Sequence, residues 1–301
     1  MTLHISEEEI SRVLTYKDLI PTMEQALAEF SAGTIIQPVR TMIVIEETKR
    51  YMGVMPAVTQ AVLGAKLVCF YPVNAGTDIP THTAMIVLFQ SKTGEPLAVM
   101  DGRLITEMRT AAVSAAVAKY LAPAESTVLA LLGSGIQAHS HLEALSHVCS
   151  FDEIRVWSAT SDHAERFAKA HNAKALDAEN AVRGADIVVT ATSTHTPVLK
   201  GEWLKKESLV ISVGAVQPSW RELDDKTVQE STLIVDSREA CLKESGDVIL
   251  SKAPIYAEAG EIFSGRVGKP AGGRIVFKSV GMASEDIATA KLVYERIAAR
   301  P

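Results

Sequence analysis

The stretch S-T-V-L-A-L-L-G-S-G-I-Q-A-H, Ser126 to His139, decides the fold. Its first part, Val128–Leu132, is an unbroken apolar run. A strand without polar alternation is covered on both faces, as in a parallel sheet flanked by helices. G-S-G-I-Q-A follows at once, and the spacing predicts a helix over Ile136–Val148. Gly133 permits a tight turn, and Gly135 lets backbone approach a pyrophosphate. Ala138 stands where a third glycine would let the helix pack on the strand. The helix start offers N–H groups and the positive end of its dipole to phosphates. Strand, glycine turn and helix together read as a dinucleotide cradle made of Gly133, Ser134, Gly135, Ile136, Gln137 and Ala138.

The same rhythm continues downstream. Strands are expected at Ile154–Trp157, Ala173–Leu176, Asp186–Thr192, Leu209–Gly214, Leu233–Ser237 and Ile275–Ser279, with helices at Asp162–His171 and Glu179–Gly184. This alternation predicts an α/β fold with a Rossmann-type doubly wound sheet. Thr110, Ser158, Ala159, Thr160, Thr190, Ala191, Thr192, Val213 and Gly214 complete the candidate cofactor contacts. The second strand is followed by Ser158-Ala159-Thr160-Ser161, with no acid before Asp162 and no Arg before Arg166. An NAD site usually places a carboxylate there for the ribose 2′-hydroxyl. Its absence points to NADPH, with NADH the alternative.

Upstream the pattern is different. Ser6 and Glu9 have capping-box spacing, and a helix over Leu19–Phe30 is expected to stop near Gly33. Strand-like runs follow at Thr41–Ile45, Ala65–Phe70, Met85–Phe89 and Leu97–Met100, with a turn at Gly94, before an Ala-rich helix at Arg109–Leu121. The last segment, Ser284–Arg300, repeats Ile287, Ala290, Tyr294 and Ile297 at helical spacing. We expect a discontinuous α+β domain, 1–113 plus 283–301, and a dinucleotide domain, 114–282.

Composition narrows the function. The 301 residues carry 30 Lys+Arg against 36 Asp+Glu, a net charge of −6. An acidic chain without a basic block is a poor ligand for nucleic acid or anionic membranes. No apolar run reaches the ~18 residues of a bilayer span. The acidic start M-T-L-H-I-S-E-E-E lacks a signal-peptide pattern. Cys69, Cys149 and Cys241 are scattered and odd in number, which reads as small core residues in a reducing, cytoplasmic setting. His139 and His141 lie on different faces of one helix, so no metal site is expected.

Arg40, Lys66 and Arg109 stand among apolar residues. A cation there is costly unless it meets an anion. That anion is either an acid ligand or a carboxylate of the chain itself; snorkelling to water is the third reading.

Six motifs together resemble the ornithine cyclodeaminase/mu-crystallin family over nearly the whole chain. They are A-V-M-D-G (Ala98–Gly102), R-T-A-A-V-S-A (Arg109–Ala115), L-G-S-G-I-Q-A (Leu132–Ala138), W-R-E-L-D (Trp220–Asp224), K-E-S-G-D-V (Lys243–Val248) and F-K-S-V-G-M-A-S-E-D (Phe277–Asp286). The pattern is closer to the ketimine-reductase branch than to the cyclodeaminases. The resemblance implies a homodimer whose discontinuous domain binds substrate and forms the dimer contact. It implies that Arg40, Lys66 and Arg109 hold a substrate carboxylate. Met55 and Trp220 are further substrate candidates, and Lys66 or His82 would steer the proton. The implied reaction is reduction of a small cyclic imino acid, such as Δ1-piperideine-2-carboxylate or Δ1-pyrroline-2-carboxylate, to L-pipecolate or L-proline. The alternatives are an alanine-type amino-acid dehydrogenase and a non-catalytic, thyroid-hormone-binding or crystallin-like protein. Val216 stands where cyclodeaminases carry a catalytic Asp, which counts against deamination. Ala159 stands where NADP-using relatives tend to have Arg.

Overall fold

In the computed structural model, which describes residues 2–47 and 49–299, the chain divides within one long helix. One compact unit is Met1–Arg109 with Met282–Pro301, and the other is Thr110–Gly281. The expected boundaries at 113/114 and 282/283 thus become 109/110 and 281/282.

The first unit is built on a six-stranded sheet. Its strands are β1 (Leu3–Ile5), β2 (Thr41–Glu46), β3 (Arg50–Val58), β4 (Val62–Phe70), β5 (His82–Gln90) and β6 (Pro96–Asp101), in the order β1-β6-β5-β4-β3-β2. Only β1 pairs in parallel. Helices α1 (Glu7–Ser11) and α2 (Tyr16–Ser31) precede β2. The Ser6–Glu9 capping box is present. The C-terminal helix, Ala283–Ala298, packs on α2 and on one face of this sheet. Gly64 permits that approach: a Cβ there would sit 2.7 Å from Ile287 Cδ1 and 2.3 Å from Val87 O. Register partners Met55, Lys66, Ile86, Met100 and Ile5 form one buried row across the sheet.

Helix α3 (Arg103–Leu121) leads into the second unit, six residues earlier in the chain than expected. This unit holds an eight-stranded, wholly parallel sheet. Its strands are β7 (Val128–Leu132), β8 (Glu153–Trp157), β9 (Lys174–Ala175), β10 (Ile187–Thr190), β11 (Ser208–Ser212), β12 (Thr232–Val235), β13 (Ile255–Glu258) and β14 (Arg274–Lys278). The order is β13-β12-β14-β11-β10-β7-β8-β9. Strand order reverses between β7 and β10, the place where an open parallel sheet leaves a crevice at its carboxyl ends. Helices α4 (Ile136–Leu145) and α5 (Ser161–His171) follow β7 and β8. All of β10 and β11 is buried, as are Leu129–Leu132 of β7.

The three cysteines form no disulfide, and only Cys241 is fully buried; Cys69 and Cys149 are half-buried. Core placement was thus right for one of the three.

Candidate active site

In the first unit the structure brings the expected cations together. Lys66 projects from the middle of β4 onto the buried face, between Met55 and Ile86. Its Nζ lies 2.7 Å from Asp286 Oδ2 and 3.3 Å from Thr106 Oγ1. Arg109, on α3, meets Asp286 Oδ1 through Nε at 3.0 Å and Glu285 Oε2 through Nη1 at 2.5 Å. All four side chains are buried. Of the anions left open by the sequence, the chain's own carboxylates therefore partner Lys66 and Arg109. Arg40, half-buried just before β2, adds its charge near Lys66.

Burial lowers the Lys66 pKa to about 8; the Asp286 carboxylate holds it up against that burial, and Arg109 and Arg40 push it further down. Met55 is buried beside Lys66.

His82 opens β5 on the same face, its ring 4.4 Å from that of Phe70, which stacks on Tyr51. Crowding by the surrounding protein, and then the Lys66 charge, lower its pKa. More than a third of the residue's surface is open to solvent. His82 is neutral at neutral pH.

Glu285 and Asp286 were absent from the sequence-derived site. They sit in the first turn of the C-terminal helix, where the dipole favours anions. The available signal was two adjacent acids opening a helix whose next residue, Ile287, belongs to its apolar stripe.

In the second unit the glycine turn has the geometry a phosphate cradle needs. Gly133 has φ +122°, and a Cβ would lie 2.4 Å from Ala191 O, so the β7 and β10 turns touch there. Its N–H donates to Trp157 O at 2.9 Å. A Cβ on Gly135, by contrast, would meet no protein atom within 4 Å. The fold therefore does not require glycine at 135; the open space above it suits a ligand. Gly135 is the N-cap of α4 and has no side chain to cap its N–H groups. Gln137 Oε1 is buried without a hydrogen-bond partner. Ala138 is buried, whereas Ile136 is exposed.

Ser158, Ala159 and Thr160 follow β8, with Ala159 and Thr160 exposed. Arg166 Nε donates to Asp162 O at 3.3 Å. Thr190, Ala191, Thr192, Val213 and Gly214 lie at the carboxyl ends of β10 and β11, the same sheet edge as the glycine turn. Thr110 lies on α3. Glu222 grips this edge through Thr190, Thr192 and Gly214. It belongs to W-R-E-L-D, but sequence reading assigned it no role. Trp220 is buried with its indole 4.2 Å from the His195 ring, stacked at 21°. Val216 packs against the apolar core.

His139 and His141 do point apart. His141 is buried between Ser114 Oγ and Gln137 O, at 2.8 and 2.7 Å, and burial lowers its pKa to about 4. His139 Nδ1 meets His171 Nε2 at 2.6 Å. Among the described residues no group of three His, Cys, Asp or Glu is arranged to hold a metal, and no helix is long and apolar enough to cross a membrane.

A doubly wound sheet with a glycine turn at its switch point has the form of a dinucleotide-binding domain, and a separate unit holds a buried cluster of cations and carboxylates. Residues 2–300 match the Ornithine cyclodeaminase/mu-crystallin family. The chain belongs to that family. It is similar to the ketimine reductase mu-crystallin of Mus musculus, 46% identical over 97% of this chain and 96% of the relative. Among solved structures it is similar to Thermococcus litoralis Δ1-pyrroline-2-carboxylate reductase in complex with NADH and L-proline. That match is 35% identical with TM-score 0.93, over 99% of this chain and 98% of the other. An archaeal alanine dehydrogenase dimer with bound NAD matches at 31% identity and TM-score 0.93, over 99% and 96% of the two chains.

Proposed function

We propose that this chain is an NADPH-dependent reductase of small cyclic imino acids that carry a carboxylate beside the C=N bond. One observation carries the reading: Lys66 and Arg109 are buried together in one cluster with Asp286 and Glu285, and the Arg40 charge lies close enough to act on Lys66, so three cations are gathered at one place. A substrate carboxylate is the kind of anion that such a set of cations recognises. Solved relatives with NADH and L-proline, or with NAD, support both the substrate class and a nicotinamide cofactor.

The bound dinucleotide supplies a hydride for the imine carbon. The chain's residues do the rest. Arg109, braced at Nε and Nη1 by its two acids, has a fixed guanidinium orientation, and a fixed orientation costs little entropy when substrate binds. Arg40 and Lys66 bring two further donors to the substrate carboxylate, with Met55 as the apolar neighbour. Lys66 carries a proton at neutral pH and is poised to release it, so it serves as the proton donor; neutral His82 is left as an acceptor or a spacer. Positioning supplies most of the acceleration. In the second unit Gly133–Ala138 would hold the pyrophosphate and Ser158–Thr160 the adenosine ribose. Hydroxyls without a carboxylate at Ser158–Thr160 favour the 2′-phosphate of NADPH over NADH. In the second unit Trp220, stacked on His195, is the aromatic candidate for ligand contact.

We further propose a homodimer through the outer face of the six-stranded sheet, and a reducing, cytoplasmic setting consistent with three free thiols.

Purified protein mixed with NADPH and either Δ1-piperideine-2-carboxylate or Δ1-pyrroline-2-carboxylate should oxidise the cofactor, faster than with NADH. No turnover with either imine from mildly acidic to neutral pH would overturn the reading. Ammonia-dependent reduction of pyruvate in its place would make the chain an alanine-type dehydrogenase. Thyroid-hormone binding without any turnover would make it a binding protein.

A further inference from the structure

Glu222 is fully buried just beyond β10 and β11, and the proposed function gives it no task. It accepts five hydrogen bonds. Thr190 Oγ1, Ser212 Oγ and Gly214 N donate to Oε2 at 2.8, 3.0 and 2.8 Å, and Thr192 N and Oγ1 donate to Oε1 at 2.7 Å each. Two of the five partners are backbone N–H groups, which can only donate. Gly214 is shaped around it: a Cβ there would lie 2.4 Å from Glu222 Oε1.

Two more buried charges complete the cluster. Asp247 Oδ1 accepts from Glu222 N and Leu223 N, both at 2.9 Å. Lys278 Nζ lies 3.2 Å from Asp247 Oδ2 and donates to Ser212 Oγ at 3.1 Å. Two carboxylates against one ammonium leave one net negative charge beneath the carboxyl ends of three neighbouring strands, β10, β11 and β14. Burying this charge is expensive, and simple pinning of two loops would not require it.

We propose that Glu222 is a positioning residue for the nicotinamide end of the dinucleotide. It fixes Thr192 and Gly214 and, through its buried charge, favours the oxidised, positively charged ring over the reduced, neutral one. The inference rests on the cofactor reading above, which places Thr192 and Gly214 against the dinucleotide. The oxidised ring would carry a positive charge that the reduced ring lacks. A fixed negative charge in a low-dielectric surrounding would favour that form without reorganisation.

The test compares the affinities of the full-length protein for NADP⁺ and NADPH, by calorimetric titration, in the wild type and in Glu222→Gln. The variant keeps the shape and removes the charge. The ratio Kd(NADP⁺)/Kd(NADPH) should rise about fivefold, the scale expected for one partly screened unit charge. Single-turnover oxidation of NADPH by imino acid should slow in the same variant. Ser212→Ala removes one hydrogen bond and keeps the charge; it should leave the ratio where it is. An unchanged ratio in Glu222→Gln, or both affinities falling by the same factor, would overturn the proposal and leave Glu222 a structural pin. If Glu222→Gln does not fold, Asp247→Asn removes the same unit of charge from further away. It should shift the ratio in the same direction by a smaller factor, and no shift overturns the proposal. A wild-type protein that binds neither nucleotide would instead overturn the cofactor reading, and that is seen before any variant is made.

Discussion

Lys66 occupies a row otherwise filled by Met55, Ile86, Met100 and Ile5, all buried. Its charge survives there because Asp286 stands 2.7 Å away. The balance is close, since burial brings the pKa to about 8. An unfolded lysine titrates near 10.4. Between those values the unfolded chain binds the proton more tightly than the native one. This group's contribution to stability therefore rises with pH across that window. The protonated form required for carboxylate binding is lost over the same range. We expect kcat/KM for the imino acid to fall above about pH 8, while stability measured by denaturant titration does not fall in parallel. Lys66→Met should abolish that alkaline limb and lower kcat/KM about ten- to hundredfold, the loss of one charged hydrogen bond. A limb that persists in Lys66→Met would assign it to another group.

At the scale of elements, α4 and the C-terminal helix show what was readable and what was not. The spacing of Val128–Leu132 and Gly133–Ala138 expresses local backbone needs, and those need no tertiary knowledge: a continuous apolar strand, a left-handed turn, an uncapped helix start. Strand β3 was missed because Y-M-G-V-M-P-A-V contains Gly53 and Pro56, both poor strand formers. Pro56 is accommodated because it lies past Val54, the last β3 residue paired with β2. Strands β1 and β13, of three and four residues, show too little periodicity to be read. Arg40, Lys66 and Arg109 could be named, but their partners could not. Glu285 and Asp286 lie 176 and 177 residues along the chain from Arg109, and only folding sets them beside it. Removing one member of such a cluster leaves a buried charge unpaired. Asp286→Ala should cost about 3–5 kcal/mol by denaturant titration; a loss under about 1 kcal/mol would show that water reaches the site. On α4, burial holds the His141 pKa to about 4, against about 6.5 unfolded. The unfolded chain takes up that proton first as pH falls, so native stability drops between those two values, by up to about 3 kcal/mol. His141→Gln should flatten that acid limb in urea midpoints measured across the range.

For the whole molecule, net charge said little about the site: a chain of −6 gathers three cations in one unit. The apolar surface says more. On the first unit the C-terminal helix covers one face of the sheet. On the opposite face Leu67 and Met85 are direct register partners, yet 37% and 55% exposed. Val54 pairs with Leu67 on that row, and Ile43, 47% exposed, lies on the same face. Large aliphatic side chains gathered on one sheet face form the kind of contiguous patch that monomers rarely expose. The homodimer proposed above would cover this patch with a second copy of the chain. The archaeal alanine dehydrogenase relative is described as a dimer. Light scattering coupled to size exclusion should therefore give twice the 32.4 kDa chain mass. The Leu67→Asp, Met85→Asp double variant should place like charges at the contact and yield monomer, with NADPH affinity within about twofold of wild type. A wild-type protein that elutes as monomer at micromolar concentration would refute the dimer. A double variant that stays dimeric would move the contact to another surface.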